Sequence, residues 1–141
     1  MSFQEKSAWV MLGALIVPSF LYFNIVIGTF SATEAIPSPT LPSLIGFTVI
    51  TVIIAIIGHI VAAVSNPKDA NANEDERSKL IVQKAGNISS YVFALGVITG
   101  LGIFLLFPIG SILFYICFAS LVLSHLVEYS LHIYFNRTVF Y

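Results

Sequence analysis

Four long apolar runs, separated by short polar connections, constrain this chain more than any other feature of its sequence. A helix needs about 20 predominantly apolar residues to cross the hydrocarbon core of a bilayer, and each run is about that long or longer. With 57% hydrophobic and 9% charged residues, the chain is also far more apolar than a soluble domain. The sequence therefore predicts an all-α membrane four-helix bundle formed by a single domain, with spans at about residues 9–28, 41–64, 88–107 and 109–135.

The connection between the second and third runs, residues 65–87, is the longest and most polar. It contains an acidic group at the predicted start of a helix, where carboxylates complement the helix dipole. Beyond this group, apolar and polar residues alternate with helical spacing, which predicts an amphipathic juxtamembrane extension before the third span. The acidic start is interpreted either as a solvated helix terminus or as a contact for a cytoplasmic partner or a metal ion, through Glu74, Asp75, Glu76 and Arg77.

The basic residues predict the orientation of the bundle. All six fall in the amino-terminal lead, the 65–87 connection or the carboxyl-terminal tail, which four spans place on one side of the membrane. Basic residues accumulate on the cytoplasmic side of membrane proteins. Both termini are therefore expected in the cytoplasm, together with Lys6, Lys68, Arg77, Lys79, Lys84 and Arg137.

Ionisable side chains inside the second and fourth runs are the candidate site. His125, Glu128 and His132 lie within about 60° of one face of a helix. Counting from the outer end of the second run places His59 at about the depth of His125 and Glu128. Imidazole and carboxylate groups are suitable ligands for Zn²⁺ or Fe²⁺, so the four side chains are candidate metal ligands.

Three other interpretations of these residues remain open. His59 and His125 could ligate a haem between two helices and so carry electrons. Glu128 could carry protons in a small proton-coupled transporter, paired with a histidine. Alternatively the groups fasten the bundle, with His125 and Glu128 bonded to each other and His59 bonded to a serine or a carbonyl.

Small residues in the third run predict close helix packing. Gly96 and Gly100 form a GxxxG pair, which allows two helix backbones to approach closely. The contact is expected either within the chain or with a second copy or another membrane protein. A net charge of −1 without a basic stripe argues against a nucleic-acid partner. The chain has none of the common hydrolase, nucleotide-binding or zinc-protease motifs, so an enzyme is not favoured.

Three short motifs resemble those of small uncharacterised bacterial four-span membrane proteins. They are an FxEKxAW lead at residues 3–9, a GHI triplet at residues 58–60 and a D-E-R helix start at residues 75–77. The resemblance implies a bacterial cytoplasmic membrane and the four-span topology, and it supplies no activity. Together these observations predict a non-enzymatic binding or regulatory module of the membrane, with a metal ion as its candidate ligand.

Overall fold

The computed structural model of the protein describes residues 3–65, 67 and 76–138. Each of the four helices formed by these residues is long and apolar enough to cross a membrane. This confirms the prediction of an all-helical chain with four candidate spans. The helices are α1 (Phe3–Thr33), α2 (Leu41–Ser65), α3 (Glu76–Leu106) and α4 (Gly110–Arg137).

Two of the helices begin well before the apolar runs that predicted them. α1 begins at Phe3 and includes Glu5 and Lys6, which were expected in a polar lead. α3 runs from Glu76 through Gly86 without a break. Each of these helices has 31 residues, which corresponds to about 46 Å at 1.5 Å per residue. They exceed the thickness of the hydrocarbon core, so their polar first turns can extend into the interfacial region.

The turn after α1 ends that helix sharply. Glu34 has a φ of 54°, a left-handed conformation common after helix ends. Its backbone N–H donates to the carbonyl of Phe30 at 2.8 Å. The chain then passes through an irregular segment, residues 35–40, into α2.

The four helices pack in the order α2, α1, α4 and α3. α3 packs mainly on α4, while α1 contacts both α2 and α4. α2 is at one edge of this arrangement, and Ala62 is its only buried residue. An apolar helix with so little buried surface must present most of its surface to lipid, as expected for a membrane span.

Small residues allow α3 and α4 to approach closely. A Cβ atom at Gly96 would collide with the side chain of Ser120, and one at Gly100 would lie 3.1 Å from Cγ2 of Ile116. The GxxxG face of α3 therefore packs within the chain, against α4. A further helix would have to contact α3 on another face.

The two ends of the bundle differ in the side chains that they contain. We call the end where α1 begins and α4 ends the basic end, because Lys6 and Arg137 lie there. We call the opposite end the far end. Its core is an aromatic cluster of Tyr22, Phe47 and Phe118 from three helices. The ring of Phe118 is 4.9 Å from each of the other two rings.

Candidate polar site on the fourth helix

His125 and Glu128 form a hydrogen-bonded pair near the middle of α4. The imidazole Nδ1 is 3.2 Å from the carboxylate Oε2. The two side chains are 45% and 22% exposed, respectively. The other carboxylate oxygen, Oε1, is directed toward α3, where a Cβ atom at Gly86 would lie 3.9 Å from it. The bond between His125 and Glu128 is one of the two contacts expected if these residues stabilise the bundle.

His132 follows Glu128 by one helical turn on the same face. Its Nε2 is buried and makes no hydrogen bond within the described part of the chain. The ring of Tyr129 lies between the two histidines, 6.4 Å from the ring of His125 and 5.8 Å from that of His132. The face therefore presents a continuous row of polar and aromatic groups, at the end of which one buried nitrogen lacks a partner.

His59 bonds to α1 and to its own helix instead of to α4. Its Nδ1 is 2.7 Å from the carbonyl oxygen of Ala55, and its Nε2 is 2.8 Å from Oγ of Ser7. Because a carbonyl only accepts, Nδ1 carries the hydrogen, and in the neutral ring Nε2 accepts from the Ser7 hydroxyl. Both ring nitrogens are thus engaged. If these residues stabilise the bundle, His59 is expected to bond to a serine or a carbonyl, and it bonds to one of each.

The depth of His59 also differs from the expectation. The neighbour of Ser7, Ala8, packs against Ile133 of α4. His59 therefore lies near the depth of Ile133, about 12 Å along α4 from His125 at 1.5 Å per residue. Counting residues from the helix ends did not detect this difference, because it ignores how adjacent helices are offset. Among the described residues, no three His, Cys, Asp or Glu side chains are grouped so that they could hold a metal ion.

The acidic start before the third span is only partly described. Glu74 and Asp75 lie outside the described residues. Glu76 begins α3, and both it and Arg77 are exposed. Arg77 Nη2 donates to the carbonyl of Thr138 at 3.5 Å, which links the start of α3 to the end of α4.

Sequence reasoning missed an ion pair that joins the first helix to the last. Arg137 Nε lies 2.6 Å from Oε1 of Glu5, and the glutamate side chain is only 9% exposed. The Arg137 guanidinium also lies 5.9 Å from the ring of Trp9. Opposite charges at the start of the first span and the end of the fourth were a usable signal, because an even number of spans brings both to one side.

The polar groups of α4 are thus of two kinds. The bond between His125 and Glu128 is a contact within the helix, whereas the buried Nε2 of His132 remains without a hydrogen-bond partner in the described residues. Comparison with models of protein families, with curated proteins and with solved structures found no match to this chain.

Proposed function

We propose that this protein is a small integral membrane protein that binds a ligand on the polar face of α4, as a non-enzymatic binding or regulatory module. The observation that carries the proposal is the buried Nε2 of His132, which has no hydrogen-bond partner in the described residues. A polar atom buried without a partner is costly, and the cost is higher in a membrane than at a wet surface. A ligand that bonds to this nitrogen would remove the cost.

The ligand proposed first is a divalent metal ion, Zn²⁺ or Fe²⁺. Glu128 and His132 are four residues apart, so both can reach one ion from a single helix face. His125 would orient the carboxylate through its 3.2 Å bond to Oε2, leaving Oε1 for the ion. Such partners of a ligating group commonly contribute to metal affinity. The chain offers two direct ligands in this scheme, and water or a further group would complete the coordination.

The proposal leaves His59 out of this ligand set because both of its ring nitrogens are already bonded. Recruiting it would break the contacts with Ser7 and Ala55, both shorter than 3 Å. A haem ligated by His59 and His125 would incur the same loss, and it would also have to bridge two histidines at different depths. The metal proposal therefore rests on α4 alone.

Zinc binding by purified variants tests this proposal. We expect protein purified in detergent to bind close to one Zn²⁺ per chain in equilibrium dialysis followed by elemental analysis. Glu128→Gln and His132→Ala remove the two ligands and should abolish the binding. His125→Ala should weaken it by about 10- to 100-fold, the usual effect of losing an orienting partner.

The matched control is His59→Ala, which removes an imidazole of similar exposure that the proposal leaves out of the site. It should bind Zn²⁺ as the unmodified protein does. Well-folded protein that binds neither Zn²⁺ nor Fe²⁺ would contradict the metal proposal. Loss of binding in His59→Ala but not in His132→Ala would contradict the assigned ligands.

Proton transfer through Glu128 is the second candidate function. It is favoured by the direct bond between His125 and Glu128, because an imidazole and a carboxylate in contact can exchange a proton. In proteoliposomes with an imposed pH gradient, proton flux should then depend on the protein and disappear in Glu128→Gln. Flux that is unchanged in this variant would exclude Glu128 as the carrier.

The proposed setting is a bacterial cytoplasmic membrane with both termini in the cytoplasm. Lys6, Lys79 and Arg137 all lie at the basic end. Basic residues accumulate on the cytoplasmic side of membrane proteins, which supports this orientation. Residues 76–87 of α3 would then form the amphipathic juxtamembrane extension. Green fluorescent protein fused after Tyr141 should fluoresce, whereas an alkaline phosphatase fusion at the same position should be inactive.

A protein partner would contact the outside of the α3–α4 pair. Since α4 covers the glycine face of α3, a second copy or another membrane protein would bind elsewhere on α3 or at the acidic start, where Glu76 is exposed. Chemical crosslinking in membranes, read by mass spectrometry, would detect either arrangement.

A further inference from the structure

A cavity of about 390 Å³ lies at the far end between α1, α2 and the segment that joins them. It is independent of the polar face of α4 and plays no part in the function proposed above. Its size falls within the range of sites that hold small molecules. Pro18 and Tyr22 form part of its wall on α1, and Gly46 and Phe47 part of its wall on α2.

The cavity is open to the bilayer on one side. Leu21, Ile25 and Ile50 belong to its lining and are 47%, 69% and 38% exposed, respectively. A molecule dissolved in the membrane could therefore enter laterally between α1 and α2. No residue among the lining that the structure describes carries a charge. A charged ligand would find no counter-ion there, so the chemistry favours a neutral one.

Hydroxyl groups lie at the end of the cavity nearest the membrane surface. Thr29 is close to the end of α1, Thr40 immediately precedes α2, and Ser43 is in the first turn of α2. The apolar wall extends from there toward the middle of the helices, to Pro18 and Ile50. This division matches a molecule with a polar head at the interface and a hydrocarbon chain within the bilayer.

The hydrogen bonds that these hydroxyls already make determine whether a bound head group must donate or accept. Thr29 Oγ1 donates to the carbonyl of Ile25 at 2.9 Å, and Ser43 Oγ donates to the carbonyl of Thr40 at 2.7 Å. Thr40 Oγ1 donates in turn to Ser43 Oγ at 3.0 Å. Since each hydrogen is already used, these oxygens can offer a ligand only lone pairs. A head group that bonds to these three oxygens must therefore supply the donor.

We infer that the cavity binds a neutral amphiphile with a single aliphatic chain and a hydroxyl head, of the fatty alcohol or prenol class. The head hydroxyl donates its hydrogen to one of the acceptor oxygens of Thr29, Thr40 and Ser43, which all line the cavity. The chain lies along Tyr22, Phe47 and neighbouring apolar side chains. A phospholipid is disfavoured because its phosphate carries charge and cannot donate a hydrogen bond to these oxygens.

Photolabelling tests the inference. Protein reconstituted in phosphatidylcholine nanodiscs is irradiated with 1-hexadecanol that carries a diazirine on its chain, and the labelled peptides are identified by mass spectrometry. Labelling should concentrate on residues 18–29 and 40–50. Unlabelled 1-hexadecanol should compete, and its methyl ether, which lacks the donor, should compete about fivefold more weakly, the effect of one hydrogen bond.

Two helical glycines provide a matched pair of variants. A Cβ atom at Gly46 would meet no atom within 4 Å, and neither would one at Gly102 on α3. Both sites should therefore accept leucine, but only Gly46→Leu fills the cavity. We expect labelling of residues 18–29 and 40–50 to fall roughly tenfold or more in Gly46→Leu, because the added side chain takes the volume of the ligand chain. Gly102→Leu should leave the labelling unchanged.

A second pair keeps the test decisive if Gly46→Leu does not fold. Thr29→Val removes one acceptor with little change of shape, and Thr99→Val removes a hydroxyl that bonds its own helix in the same way, outside the cavity. Only Thr29→Val should weaken competition by 1-hexadecanol, by a few fold. The inference would be overturned if all lipid-facing helices were labelled uniformly or if the methyl ether competed as well as 1-hexadecanol. It would also be overturned if neither Gly46→Leu nor Thr29→Val had an effect.

Discussion

The two ends of the bundle are held together by different forces. At the basic end, named polar bonds join α1 to its neighbours: Glu5 to Arg137 of α4 at 2.6 Å and Ser7 to His59 of α2 at 2.8 Å. At the far end the same three helices meet through aromatic rings, with Phe118 at the centre. Only Tyr115, which donates to the carbonyl of Pro37 at 3.0 Å, adds a long-range side-chain hydrogen bond among the described residues there.

The contrast bears on how a small membrane protein fixes its helix order. Lipid is as apolar as the helix surfaces, so apolar contact alone does not select one neighbour over another. Polar bonds at the basic end pair particular residues of α1 with α2 and α4. At the far end, selection depends on the fit of large rings, which leaves room for the cavity beside Tyr22 and Phe47. The basic end is thus expected to be specific, and the far end to be adaptable.

Removal of the central ring at the far end should have the largest effect. Phe118→Ala deletes the side chain that contacts both Tyr22 and Phe47. Loss of the ring contacts and the space left behind should lower the free energy of unfolding by about 2–4 kcal/mol. The measurement is equilibrium unfolding in a titration of dodecyl maltoside micelles with sodium dodecyl sulfate.

Phe20→Ala is the matched control for this prediction. Phe20 is 68% exposed on α1 and faces lipid, so its removal should change the free energy of unfolding by a few tenths of a kcal/mol. Equal effects of the two variants would mean that the aromatic cluster does not hold the far end.

Loss of the ion pair at the basic end should have an intermediate effect. Glu5→Gln keeps the size of the side chain but removes its charge, so the bond to Arg137 loses its ionic part. Because Arg137 is 59% exposed, water and salt screen the pair, and we expect a loss of about 1–2 kcal/mol. The same unfolding titration, carried out at low and at high salt concentration, measures it.

Salt dependence separates this contact from packing. The difference between Glu5→Gln and the unmodified protein should shrink at high ionic strength, while that of Phe118→Ala should stay constant. Glu34→Gln, which alters an exposed carboxylate beyond the other end of α1, should have little effect at either concentration. An ion-pair effect that is insensitive to salt would contradict this view of the basic end.

The sequence predicts the helices well and their neighbours poorly, for a physical reason. Hydropathy locates the four spans because a helix that crosses a bilayer must be apolar along about 20 residues. The same apolarity hides which face meets which neighbour, since lipid-facing and buried positions look alike. Ile81 is buried and Leu80 is 65% exposed, for example, although both are large and apolar.

Polar residues indicated contacts that the apolar residues did not, but their spacing in the sequence did not identify their partners on other helices. The i, i+3 spacing predicted contact between His125 and Glu128, because that contact lies within one helix. His59 was assigned to the same depth by counting from helix ends, and its partner proved to be Ser7 on α1. Glu5 was overlooked because it precedes the apolar run, although α1 begins at Phe3 and buries it.

The smallest effect is expected from the bond between Ser7 and His59. Ser7→Ala removes the hydroxyl bonded to Nε2 of His59 and leaves the Nδ1 bond to Ala55 in place. A side-chain hydrogen bond between membrane helices contributes about 0.6 kcal/mol on average. The free energy of unfolding should fall by about that amount, without the salt dependence of the ion pair.

A double-mutant cycle isolates this bond from other consequences of the change. Ser7→Ala, His59→Ala and the combined variant should give a coupling energy of about 0.6 kcal/mol. Ser31→Ala, at an exposed site near the other end of α1, should show no coupling to His59→Ala. Zero coupling for Ser7 and His59 would leave the ion pair and the bond from Lys6 Nζ to Ser65 Oγ as the polar links of α1 at the basic end. It would also remove one of the two grounds for leaving His59 out of the proposed ligand set, the other being the Nδ1 bond to Ala55.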